Sequence, residues 1–247
     1  METAPKIPSG TPLAGTLPTR DFPDFPPARR LAMLVLNLLP LLHLTAIGFG
    51  VWLLPYGLAA RLALALGLLY LLPPLLARIV LRILPIRQTR LAAGDASFLT
   101  WWCVFNLQVL FTRLAFLEEL LRIIPGAYSA WLRLWGAHIG RLTYWAPGVV
   151  ILDRPFLRLG NDVVLGAGVH LNPHVLTRHS SGHLELLLAP VSIGHGASIG
   201  GYSLLTCGTE IADGETTRAY LISPPFSRWR GGLREKPSDS ESPSHAH

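Results

Sequence analysis

At 247 residues, 50% hydrophobic and only 15% charged, the chain holds more apolar material than one small repeat domain can bury, which argues against a purely soluble protein and points to lipid contact. Its 21 Lys and Arg outnumber 15 Asp and Glu; the basic residues flank apolar segments and no zinc-finger or basic-aromatic platform is present, so the surplus reads as attraction to anionic headgroups and no nucleic-acid partner is expected. The two cysteines, Cys103 and Cys207, are too distant for a local metal motif, and Cys207 reads as a small core residue in a reducing compartment.

Residues 1–30 carry Pro5, Pro8, Pro12, Pro18, Pro23, Pro26 and Pro27 with little apolar periodicity and read as a flexible arm. Residues 31–54 then run without formal charge over a length sufficient to cross a bilayer, and residues 62–81 form a second such run, kinked at Pro73 and Pro74. Arg78 lies near the end of that run, where its charge can extend to the headgroups. Residues 31–83 are therefore expected to form an α-helical transmembrane hairpin; the competing reading is a pair of buried soluble helices. A cleaved signal peptide fits poorly, because the first run starts late and has no clear small-residue cleavage motif. Arg20, Arg29 and Arg30 precede the hairpin, Arg78, Arg82, Arg87 and Arg90 end or follow it, and the connection holds only Arg61, so both termini are expected to be cytoplasmic.

Residues 84–138 read as amphipathic or interfacial helices. Leu107, Leu110, Leu114, Leu117, Leu121 and Ile124 recur at helical spacing, with Glu119 and Arg122 opposite them and Arg113 and Glu118 at the edges. Trp101, Trp102, Trp131 and Trp135 favour the bilayer surface, whereas packing on the following domain is the alternative.

From residue 139 to 232 a six-residue rhythm takes over. Leu159, Leu165 and Leu171, then Ile193, Ile199, Leu205 and Ile211, each open a hexad, and most are followed by a small residue. A chain wound as a triangular prism needs one inward apolar side chain per face and a small or left-handed-tolerant residue at each corner, so the spacing predicts a hexapeptide-repeat β-helix and a mainly β fold. Ile139 and Trp145 begin the first coil, and the eight residues from Ile151 to Arg158 predict a two-residue bulge at a corner. The break from Thr177 to Ser192 predicts a loop leaving the prism, where function concentrates. Residues 233–247 are expected to be a disordered tail.

The segment Ala130-Trp-Leu-Arg-Leu-Trp-Gly-Ala-His-Ile-Gly-Arg141, the run Leu165-Gly-Ala-Gly-Val-His-Leu-Asn-Pro-His174 and the later Ile-Gly hexads resemble the hexapeptide-repeat acyltransferases. Within that superfamily they are most similar to the membrane-associated acyltransferase-like region at the C-terminal end of bacterial polylysine-synthetase-type proteins and its stand-alone relatives, over roughly residues 95 to 232. The resemblance implies a left-handed parallel β-helix, an acyl-CoA co-substrate such as acetyl-CoA, a homotrimer with shared sites, and a place at the bacterial inner membrane with the catalytic domain cytoplasmic. It implies an acyltransferase, an O-acetyltransferase in the first instance, acting on a lipid-linked or membrane-associated hydroxyl, with His174 as general base.

Asp153 and Glu185 are candidates to orient that imidazole, and Asn172 is a side-chain alternative to backbone N–H groups for stabilising the oxyanion. Asp153, His179 and His183 are candidate substrate contacts. Gly200 and Gly201 are candidates for the donor site, and Arg228 and Arg230 suit CoA phosphates or, equally, lipid headgroups. His170, His179, His183 and His195 keep a zinc site of the carbonic anhydrase type in view, but the spacing known from that family is absent and no metal is expected. A noncatalytic trimeric membrane scaffold is the remaining alternative.

Overall fold

The computed structural model describes residues 26–53, 55, 57–92, 94–178 and 184–235. Most of the Pro-rich arm, His179, His183 and the stretch from 236 onward lie outside them. Helices fill the first half and short strands the second.

Four helices come first: α1 (Pro27–Leu36), α2 (Leu39–Leu53), α3 (Leu58–Tyr70) and α4 (Leu72–Ile83). α1 with α2, and α3 with α4, form two runs long and apolar enough to cross a membrane by length and composition. α2 and α3 pack on each other and bury no residue fully, so much of their apolar surface faces outward. α4 differs, because Pro73, Pro74 and Ala77 are buried where it meets the next layer.

That layer consists of β1 (Arg90–Ala92), α5 (Ala96–Arg113), α6 (Phe116–Ile123) and α7 (Ala127–Trp135). The single stripe from Leu107 to Ile124 is divided between α5 and α6 by a break at Leu114 and Ala115. Trp101, Trp131 and Trp135 are almost wholly buried within the protein, and so do not occupy the bilayer surface suggested by their composition. Trp131 Nε1 donates to the Tyr70 carbonyl at 2.8 Å, the Trp101 ring packs among Phe98, Trp102 and Phe105, and the Trp135 ring meets Phe111 and Trp131 edge-on.

Most further strands belong to a three-faced coil. The first coil contributes β2 (His138–Ile139), β3 (Tyr144–Trp145) and β4 (Val150–Ile151). A short 3-10 helix, Arg154–Phe156, is the expected corner bulge, and β5 (Leu157–Leu159), β6 (Val164–Leu165) and β7 (His170–Asn172) follow as the second coil. The chain then leaves as a hairpin, β8 (His174–Arg178) and β9 (Leu184–Leu188), and returns through β10 (Val191–Ile193), β11 (Ser198–Ile199) and β12 (Leu204–Thr206). β13 (Glu210–Ile211) and β14 (Ile222–Ser223) belong to the fourth coil and β15 (Arg228–Arg230) opens a fifth. β16 (Leu233–Glu235) folds back antiparallel on β15, so residues placed in the tail by composition instead cover the last strand edge.

Each face is a parallel ladder whose neighbours come from successive coils. Ile139, Leu159, Ile193, Ile211 and Trp229 stack on one face, Trp145, Leu165 and Ile199 on the second, and Ile151, Leu171, Leu205 and Ser223 on the third. Leu165, Leu171 and Leu205 are fully buried, and each such side chain contributes roughly 1.5–3 kcal/mol by leaving water. The second-position glycines serve this stacking: a Cβ at Gly160 would lie 2.6 Å from the backbone N of His195 in the next coil.

The excursion is longer than the expected Thr177–Ser192 break. It begins directly after Asn172 and ends at Val191, and its strands pair in register from His174↔Leu188 to Arg178↔Leu184. β1 adds to the free edge of β9, so the hairpin is a three-stranded sheet tied to the helical layer and not a bare loop.

Candidate active site

His174 is the first residue of the hairpin, and three elements converge on it. The backbone is fixed from below by the Ala189 N–H donating to the Pro173 carbonyl at 3.0 Å, and the hairpin base by the Leu188 N–H donating to Thr89 at 2.8 Å. From the corner bulge, Asp153 presents its carboxylate to His174 Nδ1 in a short hydrogen bond. From α5, the Trp101 indole Nε1 donates to the other carboxylate oxygen at 3.0 Å.

Asp153 is fully buried and both its oxygens are engaged, which places it behind the imidazole and not against a substrate. An acceptor at Nδ1 fixes the proton there and leaves Nε2 as the basic nitrogen. Trp101 and Phe105 meet the imidazole edge-on, with centroids 5.0 and 5.8 Å away, and limit its rotation. About 13% of the His174 side chain remains exposed. The arrangement can therefore accept a proton at Nε2 and hold the resulting positive charge over a buried carboxylate.

A second buried network supports this bulge. Arg154, next to Asp153, donates through Nε to Glu118 at 2.9 Å, and its backbone N–H reaches Gln108 Oε1 at 2.7 Å. Glu118 also takes Tyr128 and Arg122. Glu118 and Arg122 are thus inward residues, not the solvated face of an interfacial helix, because Arg154 would otherwise be a buried charge without a counter-ion. Burial, reinforced by Glu118, pushes the Tyr128 phenol well above its ordinary pKa. Burial opposes the Arg122 charge, yet Tyr128, Glu118 and Glu119 outweigh it and raise its pKa.

The remaining candidates lie elsewhere. Asn172 is two residues from His174 and pairs in register with Thr206; its buried Oδ1 lacks a hydrogen-bond partner. Glu185 is paired with Arg90 at 3.1 Å and does not orient His174. Gly200 approaches the next coil so closely that a Cβ would collide with the Ala219 backbone, so its smallness has a packing cause. Arg228 pairs with Glu210 at 3.1 Å and Arg230 with Glu235 at 3.3 Å, on the face that carries β13 and three coils beyond the one that His174 leaves, about 14 Å along the axis at a strand spacing of roughly 4.8 Å. His195 Nδ1 accepts the Asn161 N–H at 3.0 Å, and His170 is exposed on β7. Among the described residues, no group of three or more His, Cys, Asp and Glu side chains is arranged to hold a metal.

Trp101 and Phe105 are the site residues that sequence reasoning missed. Both sit in an apolar helix some 70 residues upstream of His174, and no local spacing marks them.

No protein-family model matches the chain, and no curated protein matches it. Among solved structures it is similar to a maltose O-acetyltransferase from Clostridium difficile 630, at 17% identity and a TM-score of 0.37 over 53% of this chain and 87% of that one. It is also similar to a hexapeptide-repeat containing acetyltransferase from Vibrio cholerae O1 biovar eltor complexed with acetyl coenzyme A, at 14% identity and a TM-score of 0.32 over 50% of this chain and 82% of that one. Scores this low assign neither fold nor activity, and the functional reading rests on the chain's own geometry.

Proposed function

We propose that the protein is a membrane-anchored acyltransferase that moves an acyl group, acetyl in the first instance, from acyl-CoA to a hydroxyl of a membrane-associated acceptor. The observation that carries this reading is the buried Asp153 carboxylate on His174 Nδ1 at the point where the chain leaves the β-helix. His174 Nε2 takes the acceptor's hydroxyl proton as the oxygen attacks the thioester carbonyl. The tetrahedral adduct then expels the CoA thiolate, and the imidazolium returns the proton to it. Asp153 stabilises the imidazolium between these steps, and Trp101 keeps the carboxylate in place.

The coil is read as the left-handed, hexapeptide-repeat type. The hairpin from α1 to α4 is read as the anchor, holding both termini and the β-helix on the cytoplasmic side of a bacterial inner membrane. Met33 of α1 packs against the same aromatic cluster as Trp101 and Phe105, which supports an acceptor arriving from the membrane. Confinement to one bilayer raises the effective concentration of such an acceptor. Tyr202 and Tyr220 stack at 5.4 Å with both rings exposed beside the exposed Ile222, an apolar edge that supports self-association as a trimer.

Calorimetry with acetyl-CoA and longer acyl-CoAs on detergent-purified protein, with metal analysis of the same sample, tests the reading. Saturable CoA binding without stoichiometric zinc is expected. Absence of CoA binding overturns it in favour of a scaffold, or of hydration chemistry if one zinc per chain is present.

A further inference from the structure

α6 is built inside out. Its charged residues Glu118 and Arg122 turn inward to Arg154 and Tyr128 and Glu119 is half-exposed in a pair with Arg122, whereas Phe116, Leu120, Ile123 and the following Ile124 are 58, 51, 75 and 59% exposed. Phe116, Leu120 and Ile123, spaced four and three apart, share one helical face, and Ile124 follows at the extended C-cap. A helix against water shows the reverse order, so this face is made for an apolar medium.

What that medium is follows from the position of the helix. The Tyr70 hydroxyl, at the junction of α3 and α4, donates to the Leu117 carbonyl at 3.0 Å, and Trp131 on α7 donates to the Tyr70 carbonyl. α6 is thereby pinned to the apolar hairpin at Tyr70. Behind the row lies a cavity of about 390 Å³, with Ile124 and the 82%-exposed Leu142 among its apolar lining and Arg122 and Arg133 among its polar lining. Thr143 in the same lining carries a buried hydroxyl without a partner. Arg122 is paired there with Glu118 and Glu119 and Arg133 with the Ile139 and Gly140 carbonyls, so polarity runs from apolar outside to polar within, the order of acyl chains and headgroups.

We propose that α6 is a second membrane contact, lying in one leaflet with Phe116, Leu120, Ile123 and Ile124 among the acyl chains. The inference rests on the placement of the α1–α4 hairpin in a bilayer, and the test separates the two. Full-length protein in a Cys103→Ser background receives a single reactive cysteine at Ile123, at Phe49 of α2 or at Asp213 on the β-helix. Each is labelled with an environment-sensitive dye and reconstituted in nanodiscs of phosphatidylcholine and phosphatidylglycerol, with and without lipid brominated in the upper acyl chain. Loss of most of the emission at Phe49 and Ile123, with none at Asp213, is the expected result. Quenching at Phe49 but not at Ile123 overturns the α6 contact and leaves the anchor standing; quenching at neither overturns both. A dye at Ile123 that is shielded from aqueous iodide yet unaffected by brominated lipid assigns the face to a second copy of the chain and likewise overturns the proposal. These three positions are exposed or half-exposed, so the labels do not test folding instead of depth.

Discussion

Replacing Asp153 by Asn probes the proton position of His174 directly, because Trp101 dictates how the amide must lie. The indole Nε1 is a donor only, and it donates to one carboxylate oxygen at 3.0 Å while the other oxygen takes His174 Nδ1. In Asp153→Asn the amide oxygen must stay with the indole, so the NH₂ faces Nδ1. The imidazole then has to accept there, its proton moves to Nε2, and the nitrogen that should act as base is blocked. Flipping the amide would leave a buried indole N–H unpaired, at about 1–3 kcal/mol. The productive tautomer is therefore depleted about 5- to 160-fold, before the loss of the carboxylate charge is counted. Trp101→Phe removes the constraint, so Trp101→Phe/Asp153→Asn is expected to exceed Asp153→Asn in activity although each single change lowers it. The assay pairs thioester cleavage in membranes, read as free CoA thiol, with nitrogen NMR of labelled histidine, which shows the proton on Nδ1 in the wild type and on Nε2 in Asp153→Asn. A proton that stays on Nδ1 in Asp153→Asn, or a double variant no better than the single one, refutes the orienting role of Trp101.

His174→Ala is expected to abolish transfer while the protein still fractionates with membranes and keeps its thermal midpoint within a few degrees; undiminished transfer would remove the general base. Leu171→Ala, at a fully buried position of the third face, should lower stability by about 2–5 kcal/mol in urea titrations. Gly160→Ala should also destabilise, because the new methyl meets the next coil's backbone, and a neutral result would contradict the stacking described. Burial pushes the Cys207 thiol up to about 12 from an ordinary 9.0. The folded state thus holds this proton more tightly than the unfolded one, so stability is intact below pH 9 and falls between about 9 and 12, by at most about 1.4 kcal/mol per pH unit. Comparing urea midpoints of wild type and Cys207→Ala across that range should show the wild type losing ground as pH rises.

The coil was legible because its constraint is local. One apolar residue per face and a tight corner repeat every six positions, so Leu159, Leu165, Leu171, Ile193, Ile199 and Leu205 can be read in order without knowledge of what they touch. The bulge at Arg154–Phe156 was visible for the same reason, as two residues too many between Ile151 and Arg158. Apolar length alone likewise marked the runs through α1–α2 and α3–α4. Polarity proved a poorer guide between those regions. Composition cannot say whether a tryptophan is covered by lipid or by protein, and Trp101, Trp131 and Trp135 are covered by protein. Nor can periodicity separate a helix that shows its charges to water from one that turns them inward, which is why Arg122 reads as solvated and Glu118 as an edge residue when both are buried.

The site itself is legible in halves. His174 stands out because it follows a hexad and begins an excursion, and Asp153 because it interrupts the rhythm 21 residues earlier, one coil back. Successive coils stack residues that are about one circuit apart, so a bulge in one coil and an exit from the next can meet at the same corner, and a carboxylate and an imidazole at such a spacing are natural partners. Trp101 obeys no such rule. It reaches the pair because α5 packs across the corner and β1 pairs with β9, both long-range contacts set by the whole helical layer. The aromatic helix folded over the exit of the coil packs Trp101 and Phe105 against the imidazole while Asp153 takes its Nδ1. In the proposed reaction that packing directs His174 Nε2 toward the acceptor, and it links the site on the coil to the helical layer.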